Sequence, residues 1–160
     1  MSVAYVAFGS NISPRLKNLQ EAFKKLAQGP VTILQKSALY ETKPYGGVAK
    51  GDFLNAVVKI ETQLSPKDLL TFLQSIEQNM GRVREVHWGS RNIDLDLLIY
   101  DKVTLNTEFL TLPHPEITKR SFVLFPLKDV YDKNLFGQSF EFWLEKSGNE
   151  KEVTLFKKEW

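Results

Sequence analysis

The stretch Ile93-Asp94-Leu95-Asp96-Leu97-Leu98-Ile99-Tyr100 decides how this chain folds. Apolar and acidic residues alternate along it, and alternation with a period of two is typical of a β-strand that has one buried face. The face turned away from the core carries Asp94 and Asp96. The buried face carries four aliphatic residues, Ile93, Leu95, Leu97 and Ile99. We therefore predict a sheet strand that presents two neighbouring carboxylates.

Three more strands are predicted upstream, each a short run rich in β-branched and aliphatic residues. They span Val3–Phe8, Val31–Leu39 and Phe53–Glu61. A turn at Gly9-Ser10-Asn11 is expected to end the first strand. The connection from Tyr40 to Asp52 is rich in glycine and too long for a tight hairpin, which makes it a candidate functional loop.

Two helices separate these strands. Apolar residues recur at helical spacing between Pro14 and Gly29, with Ser13 as the expected N-cap. A second helix is expected to start at the cap Ser65 and to end at Gly81. The order strand, helix, strand, strand, helix, strand predicts an α+β fold with a ferredoxin-like βαββαβ core. In that fold both helices cover one face of an antiparallel sheet.

Additional C-terminal elements follow this core. We predict a strand at Phe122–Leu127, a short amphipathic segment at Phe140–Glu145 and a last strand at Val153–Lys157. The chain has 160 residues, and two halves of that length would each bury too little surface to be stable. A single domain spanning residues 1–160 is therefore expected.

The composition narrows the classes of function. The formal net charge of +2 is too small to attract a nucleic-acid backbone at long range, so no nucleic-acid partner is expected. The chain has no cysteine, which excludes disulfides and a Cys nucleophile and fits a cytoplasmic location. There is no signal-type N-terminus and no apolar run as long as a membrane span, so no membrane partner is expected.

Asp94 and Asp96 form the sharpest chemical signal. Like charges this close repel each other unless a cation lies between them, and Mg²⁺ prefers carboxylate oxygens. Three arginines precede the pair, Arg82, Arg84 and Arg91, and guanidinium groups match phosphate oxygens in geometry and charge. Together these residues indicate a magnesium–nucleotide site. The alternative is an exposed strand whose acids form ordinary surface ion pairs with the arginines.

A second constellation suits an organic ligand. Phe53 and Asn55 share one face of a predicted strand, where the ring could stack on a flat heterocycle and the amide could hydrogen-bond its edge. The alternative is a ring packed under a loop beside a solvated amide. A P-loop phosphate site is excluded, because no G-x-x-x-x-G-K-[ST] sequence is present.

The segment His87-Trp88-Gly89-Ser90-Arg91-Asn92-Ile93-Asp94-Leu95-Asp96-Leu97-Leu98 resembles the signature of the hydroxymethyldihydropterin pyrophosphokinases. Most of the chain shows further similarity, in Ala4–Asn11, Tyr40–Thr42, Asp52–Ala56, Gly81–Arg84, Leu112–Pro115 and Arg120–Leu124. The resemblance implies a ferredoxin-like α+β fold and a step of folate biosynthesis. In that step a pyrophosphoryl group passes from ATP, the co-substrate, to 6-hydroxymethyl-7,8-dihydropterin with release of AMP. Two Mg²⁺ ions are implied as cofactors.

The resemblance also implies a role for each matching residue. Asp94 and Asp96 would be catalytic and hold the magnesium ions. Arg82 and Arg91 would be catalytic arginines, the first carried by a mobile lid at Gly81–Ser90 and the second at its base. The implied nucleotide contacts are Gln74, Glu77, Arg84, Thr111, His114 and Arg120. The implied pterin contacts are Thr42, Pro44, Tyr45, Phe53, Asn55, Trp88 and Phe122.

The sequence departs from the family pattern at four positions. His87 stands where many members have arginine, and Lys43 stands where proline is usual. Tyr45 replaces an aliphatic residue, and Phe109 replaces an arginine that can help to hold the nucleotide. These departures concern the loop conformation, the fit around the pterin and the strength of ATP binding, and they leave the implied reaction class intact.

Two other function classes fit the same order of strands and helices. One is a single-strand RNA reader that stacks bases on sheet aromatics, although Asp94 and Asp96 would repel a phosphodiester chain. The other is a non-catalytic nucleotide sensor, which would need no second ligand pocket. We expect a monomeric enzyme whose partners are small-molecule substrates.

Overall fold

The fold is centred on a six-stranded sheet in this computed structural model, which describes residues 1–42, 52–81 and 92–160. The sheet strands are β1 (Ser2–Ser10), β2 (Val31–Lys36), β3 (Leu39–Thr42), β4 (Phe53–Thr62), β5 (Asp94–Tyr100) and β8 (Val153–Lys157). A separate hairpin consists of β6 (Leu105–Asn106) and β7 (Thr111–Leu112). The helices are α1 (Arg15–Ala27), α2 (Pro66–Asn79), α3 (Ser121–Val130) and α4 (Phe140–Ser147), with 3₁₀ turns at Ile117–Lys119 and Glu150–Glu152. Within the described ranges, no helix is long and apolar enough to cross a membrane.

The predicted βαββαβ core is confirmed. β1 runs antiparallel between β4 and β5, and the sheet continues beyond β4 into β3 and β8. α1 and α2 cover one face of the sheet and bury a core that includes Phe8, Leu19, Ile60 and Leu73. The fold is therefore α+β, with both core helices on one face.

The two core helices begin differently. Ser65 caps α2 as predicted, because its side chain accepts a hydrogen bond from Asp68 N at 3.1 Å. α1 begins at Arg15, and among the described residues no side chain caps it. The predicted cap Ser13 is wrong, because the extended residue Pro14 occupies the N-cap position and the helix starts one residue later.

The predicted strand Val31–Leu39 is wrong as a single element, because it divides into β2 and β3 at Ser37. Ser37 forms hydrogen bonds with both the N–H and the C=O of Val57. Its N–H donates to Val57 O (2.9 Å), and its hydroxyl accepts from Val57 N (2.8 Å). The hydroxyl thus replaces a backbone carbonyl, and the chain shifts register before β3 begins. The predicted loop Tyr40–Asp52 is wrong for its first three residues, which belong to β3.

A bulge in β5 changes which side chains share a face. Leu98 is an extra residue in the ladder with β1. Ile99 therefore faces the opposite side from Leu97 and packs in a second core, so the predicted alternation is wrong at Ile99. Asp94 and Asp96 precede the bulge and keep their shared face.

α3 and α4 cover part of the second face of the sheet. The predicted strand Phe122–Leu127 is wrong, because these residues form most of α3. Periodicity cannot distinguish a short buried strand from a helix that is buried on several sides. The amphipathic segment predicted at Phe140–Glu145 forms most of α4, and the last predicted strand is confirmed as β8.

α3 and α4 pack against the part of this sheet face that carries Tyr5 of β1, Val57 of β4 and Ile99 of β5. Asp94 lies at the opposite end of β5, beside the last residues of β1. The two aspartates thus lie toward the other end of β5 from Ile99, which packs against α3 and α4.

Trp160 joins the C-terminal strand to the core on the α1 side. Its ring meets Phe8 and Phe23 edge-on, with centroid distances of 6.0 and 5.6 Å. Its indole N–H donates to Ser37 O at 2.7 Å, and Lys36 Nζ lies 4.4 Å from its ring centroid. The indole therefore combines aromatic packing with a hydrogen bond to the segment where β2 ends.

We expect Trp160→Ala to lower the free energy of unfolding by about 3 kcal/mol, because it removes a packed aromatic side chain. Trp160→Phe should cost only about 1 kcal/mol, mainly the lost hydrogen bond to Ser37 O. Leu34→Ala, at an exposed aliphatic residue of β2, is the control and should change stability little. Urea unfolding measures all three variants. A loss in Trp160→Ala no larger than in the control would contradict this role.

Candidate functional site

Three neighbouring strands bring an acid and an amide onto one row of the sheet. Gly9 of β1 is opposite Asp94 of β5 on one side and opposite Asn55 of β4 on the other. In the adjacent row on the same face, Ala7 is opposite Asp96. Directly opposite residues share a face, and neighbouring strands are about 4.8 Å apart, so the backbones of Asp94 and Asn55 are separated by roughly 10 Å. Gly9, which has no side chain, lies between these two residues.

A side chain at Gly9 would be tightly packed. A Cβ atom at this position would lie 3.2 Å from Asn55 Oδ1 and 3.9 Å from Phe53 Cδ1. The sequence predicts a turn here, but β1 continues through Ser10, so that prediction is wrong. Gly9 is therefore a site residue that the sequence interpretation misses. A glycine directly after an apolar run was the available signal, because glycine inside a strand often marks a close approach of another group.

Asp94 and Asp96 lie on the same face, and both are partly exposed. The residues opposite them on β1, Gly9 and Ala7, are small, so the side chains of β1 do not crowd the two carboxylates. Mg²⁺ typically takes one or two carboxylates and completes its shell with water and phosphate oxygens, and this pair fits that donor set. Among the residues that the structure describes, no group of three or more His, Cys, Asp or Glu side chains could hold a metal ion.

Two side chains hold the strand that carries this pair. Glu77 of α2 is buried and accepts a hydrogen bond from Leu95 N, at 2.8 Å, midway between the two aspartates. β5 is an edge strand, and such strands have backbone groups that no neighbouring strand can satisfy. Asn92 ties the start of β5 to the end of α2: its Nδ2 donates to Met80 O (2.6 Å), and its Oδ1 accepts from Ile93 N (2.9 Å). Glu77 and Asn92 thus fix the backbone that aims the carboxylates.

A cavity of about 320 Å³ lies beside Asp96. Its polar lining comes from Gln74, Asp96, Thr107, Glu108, Thr111 and His114, and its apolar lining from Leu70, Leu95, Leu97, Phe109, Leu110 and Pro115. Gln74, Thr111 and His114 are three of the residues predicted to contact a nucleotide. The exposed lining is more polar than apolar, and polar groups that converge beside a carboxylate can orient a small polar ligand.

His114 is held in a neutral form by its surroundings. Burial lowers the pKa of its imidazole, and the charge of Arg120 lowers it further, against opposite effects from Glu116 and Asp94. Its Nδ1 accepts a hydrogen bond from Glu116 N at 3.1 Å, which assigns the proton of the neutral ring to Nε2. Its backbone N–H donates to Leu98 O at 2.8 Å, which fixes the residue against β5. The imidazole is thus arranged to donate a hydrogen bond through Nε2.

Thr42, Phe53 and Asn55 lie together on β3 and β4. Thr42 pairs with Phe53, and Asn55 follows two residues later on the same face. Thr42 and Asn55 are buried, with exposures of 4% and 8%. Asn55 Nδ2 has no hydrogen-bond partner within the described ranges. Because an unsatisfied buried donor is costly, this amide is suited to an incoming acceptor.

Arg120 and Phe122 lie next to each other at the start of α3. The guanidinium carbon of Arg120 is 5.7 Å from the ring centroid of Phe122, which is a cation–π distance. The predicted nucleotide contact Arg120 therefore adjoins the predicted pterin contact Phe122.

The remaining predicted site residues lie outside the described residues. They are Pro44, Tyr45, Arg82, Arg84, Trp88 and Arg91. The predicted lid, Gly81–Ser90, also lies outside them except for Gly81. The departures His87 and Lys43 fall there too, whereas Phe109 is exposed at the cavity beside Asp96.

The fold and the site geometry define a class of protein: an α+β fold with two carboxylates and a buried amide on one sheet face. The model of the 7,8-dihydro-6-hydroxymethylpterin-pyrophosphokinase (HPPK) family matches residues 5–132. The chain belongs to this family.

Relatives from three bacteria are similar over most of the chain. A 2-amino-4-hydroxy-6-hydroxymethyldihydropteridine pyrophosphokinase of Bacillus subtilis is 44% identical over 130 residues, covering 81% of this chain and 78% of that protein. The protein of the same name from Haemophilus influenzae is 43% identical over 131 residues, covering 81% and 82%. The bifunctional protein FolKE of Lactococcus lactis is 38% identical over 162 residues, covering 99% of this chain and 46% of that protein. The chain thus spans about half the length of this last relative.

Solved structures share the fold. A crystal structure of HPPK-DHPS in complex with substrates has a TM-score of 0.74 and 15% identity, covering 96% of this chain and 46% of that chain. Plasmodium falciparum HPPK-DHPS with pterin and p-hydroxybenzoate has a TM-score of 0.71, also at 15% identity, covering 96% and 45%. At these identities the likeness shows the fold alone, and the chain again spans about half the length of these proteins.

We expect His114 to make the protein less stable in mild acid. Its pKa is lower in the folded than in the unfolded state, so the unfolded chain binds more protons once the pH falls below the ordinary histidine value of about 6.5. The free energy of unfolding contributed by this residue is therefore full above about pH 6.5 and declines as the pH falls below it. Urea unfolding of the ligand-free protein at several pH values measures the decline.

His114→Asn should show a smaller decline than the parent protein over the same pH range. The other histidine, His87, is present in both proteins and serves as the internal control. An equal decline in both would mean that His114 does not have a lowered pKa in the folded state.

Proposed function

We propose that this chain transfers a pyrophosphoryl group from ATP to the hydroxymethyl group of 6-hydroxymethyl-7,8-dihydropterin and releases AMP, as a step of folate biosynthesis. One observation carries the proposal: Asp94 and Asn55 stand on either side of Gly9 in a single row of the sheet. A charged group for a metal–nucleotide and a buried amide for a second ligand therefore share one surface. Membership of the HPPK family supports the same assignment.

The nucleotide is proposed to bind beside β5, in the cavity next to Asp96. His114 would donate a hydrogen bond from its Nε2–H to the nucleotide, while the apolar part of the cavity lining would contact the base. The further nucleotide contacts in the proposal are Gln74, Glu77, Arg84, Thr111 and Arg120. For Glu77 the support is limited to its position under β5, since its carboxylate is buried and bonded to Leu95 N.

Asp94 and Asp96 are the residues proposed to hold two magnesium ions. When bound, these ions would offset the phosphate charges and lower the pKa of the substrate hydroxyl. The chain's own contribution is to hold both carboxylates on one face of a strand that Glu77 and Asn92 anchor. Such preorganisation avoids the cost of rearranging charged groups during the reaction.

The pterin is proposed to bind over β3 and β4. The Asn55 amide would donate from Nδ2 to an acceptor on the edge of the pterin ring, and Phe53 would contact the face of the ring. The other proposed pterin contacts are Thr42, Pro44, Tyr45, Trp88 and Phe122. Their support differs, because Thr42 is buried next to Phe53, whereas Pro44, Tyr45 and Trp88 rest on the family resemblance.

Catalysis in this proposal comes from positioning and electrostatics, without a covalent intermediate. The sheet would hold the two substrates side by side on one face, and Arg82 and Arg91 would supply positive charge to the phosphates during transfer. We further propose that residues 1–160 act as one domain and as a monomer. A cytoplasmic location is proposed on the absence of cysteine from the sequence.

The identity of the nucleotide product tests the proposed reaction. The protein is incubated with ATP, Mg²⁺ and 6-hydroxymethyl-7,8-dihydropterin, and nucleotides are separated by chromatography. Formation of AMP that depends on both Mg²⁺ and the pterin is the expected result. ADP as the product would indicate γ-phosphoryl transfer, and no turnover would indicate a binding protein; either result would refute the proposal.

We expect Asp94→Asn and Asp96→Asn each to lower turnover by roughly 100-fold or more, because each removes a charge from the proposed metal site. Thermal stability should change little, since both side chains are partly exposed. Glu61→Gln is the matched control, because Glu61 is another partly exposed acid of the same sheet. Steady-state assays at saturating Mg²⁺ measure the effect, and near-normal turnover in either aspartate variant would remove the metal assignment.

We expect Gly9→Ala to weaken pterin binding about tenfold and to leave nucleotide binding nearly unchanged. The new Cβ atom would press on Asn55 Oδ1, and overpacking of this kind typically costs about 1–3 kcal/mol. Titration calorimetry with each ligand separates the two effects. In an Asn55→Ala background the Gly9→Ala substitution should have little further effect, and a full additional loss there would show that Gly9 does not act through Asn55.

A further inference from the structure

Arg15 joins three separate parts of the sheet from the side that α1 covers. Its Nη1 donates to Glu41 Oε2 at 2.6 Å and to Asp52 O at 2.9 Å. Its guanidinium carbon also lies 5.5 Å from the ring centroid of Phe156 in β8. Because Arg15 is the first residue of α1, the guanidinium is attached to a fixed point of the fold.

The two acceptors lie at the end of the ladder between β3 and β4. Glu41 is the second-last residue of β3, and Asp52 directly precedes β4. The ladder between these strands contains three residue pairs, which end with Thr42 opposite Phe53. Strand ends open more readily than strand centres, and a ladder this short has few other bonds to hold its end closed.

The bond from Arg15 to Glu41 can affect the opposite face of the sheet because it holds the backbone of β3. Glu41 pairs with Leu54, whose side chain is in the core under α1 and α2. The residues on either side of that pair, Thr42 and Phe53, alternate to the other face, which is the face of the proposed pterin site. The hydrogen bond from Arg15 to Glu41, on the face covered by α1, therefore holds the backbone of Thr42 and Phe53, whose side chains lie on the opposite face.

We propose that Arg15 is a positioning residue for the pterin substrate, because it clamps the ends of β3 and β4 and so fixes Thr42, Phe53 and Asn55. This inference rests on the proposed function. It also assigns a role to the C-terminal strand: β8 pairs with β3 and contributes Phe156 to the surroundings of the guanidinium.

Ordinary surface ion pairs contribute little, but this one differs from them. The side chains of Arg15 and Glu41 are only 24% and 27% exposed. The guanidinium also bonds the carbonyl of Asp52, just before β4, and its loss leaves the largely buried Glu41 carboxylate without this donor. The pair Lys128–Glu141, with exposures of 47% and 70% at 2.8 Å, is a natural comparison that lies between α3 and α4.

Steady-state kinetics of Arg15→Ala test the clamp. We expect KM for the pterin to rise roughly tenfold, a value typical of losing a hydrogen-bonded charge that is half-buried. The values of kcat and of KM for ATP should stay within about twofold of those of the parent protein. Arg15→Lys should restore part of the loss, because an ammonium group can reach only some of the same acceptors. Lys128→Ala is the control and should leave all three constants unchanged.

Hydrogen exchange gives a second readout that is independent of activity. Backbone amides of β3 and the start of β4 should exchange faster in Arg15→Ala than in the parent, whereas those of α2 should not change. The clamp would be refuted if Arg15→Ala left KM for the pterin unchanged or raised the KM values of both substrates equally. In either case, AMP formation by the parent protein would still uphold the proposed function. A parent protein that forms no AMP would overturn both. A variant that is too unstable to assay is replaced by Glu41→Gln, which weakens the same bond and must raise the pterin KM in the same direction.

Discussion

The register of β1 between β4 and β5 is the constraint on which the candidate site depends. It sets Gly9 opposite both Asn55 and Asp94, and so brings an amide and a carboxylate from distant parts of the chain onto one row. A slip of one residue would send every side chain of β1 to the other face and would remove the apolar side chains Val6 and Phe8 from the core. Burial of that core therefore enforces the geometry of the site. The stability of the fold and the placement of the chemistry have the same physical cause.

The strands that carry the site are held by polar contacts rather than by sheet pairing alone. β5 lies at an edge of the sheet, where Glu77 binds Leu95 N and Asn92 binds the end of α2. β3 is short, and Arg15 ties its end to the residue before β4. Each of these contacts reaches a strand beside a proposed ligand group. The apolar core supplies general stability, and the polar contacts supply the local rigidity that a binding site needs.

The sequence predicts the core well where a single physical pattern dominates. Alternation over Asp94 to Leu97 predicts the shared carboxylate face, and the cap at Ser65 predicts the start of α2. The prediction fails where a local feature overrides the pattern, as with the bulge at Leu98 and the hydroxyl of Ser37 that interrupts the ladder. It also fails at Phe122–Leu127, because an all-apolar run has no period that separates strand from helix. The contacts of Arg15 could not be predicted, because its partners lie far away in the sequence, whereas Gly9 was missed although a glycine directly after an apolar run was an available signal.

The central claim is that Asp94 and Asp96 bind a divalent cation on the same sheet face as the ligand of Asn55. A crystal structure with Mn²⁺, a non-hydrolysable ATP analogue and 6-hydroxymethylpterin tests it most directly, because Mn²⁺ can be located by its anomalous scattering. We expect an anomalous peak within about 2.3 Å of oxygens from both aspartates, close to the metal–oxygen distances of hard divalent cations. We also expect a pterin ring that accepts a hydrogen bond from Asn55 Nδ2. A cation bound away from both carboxylates, or a pterin on the face covered by α1 and α2, would contradict it.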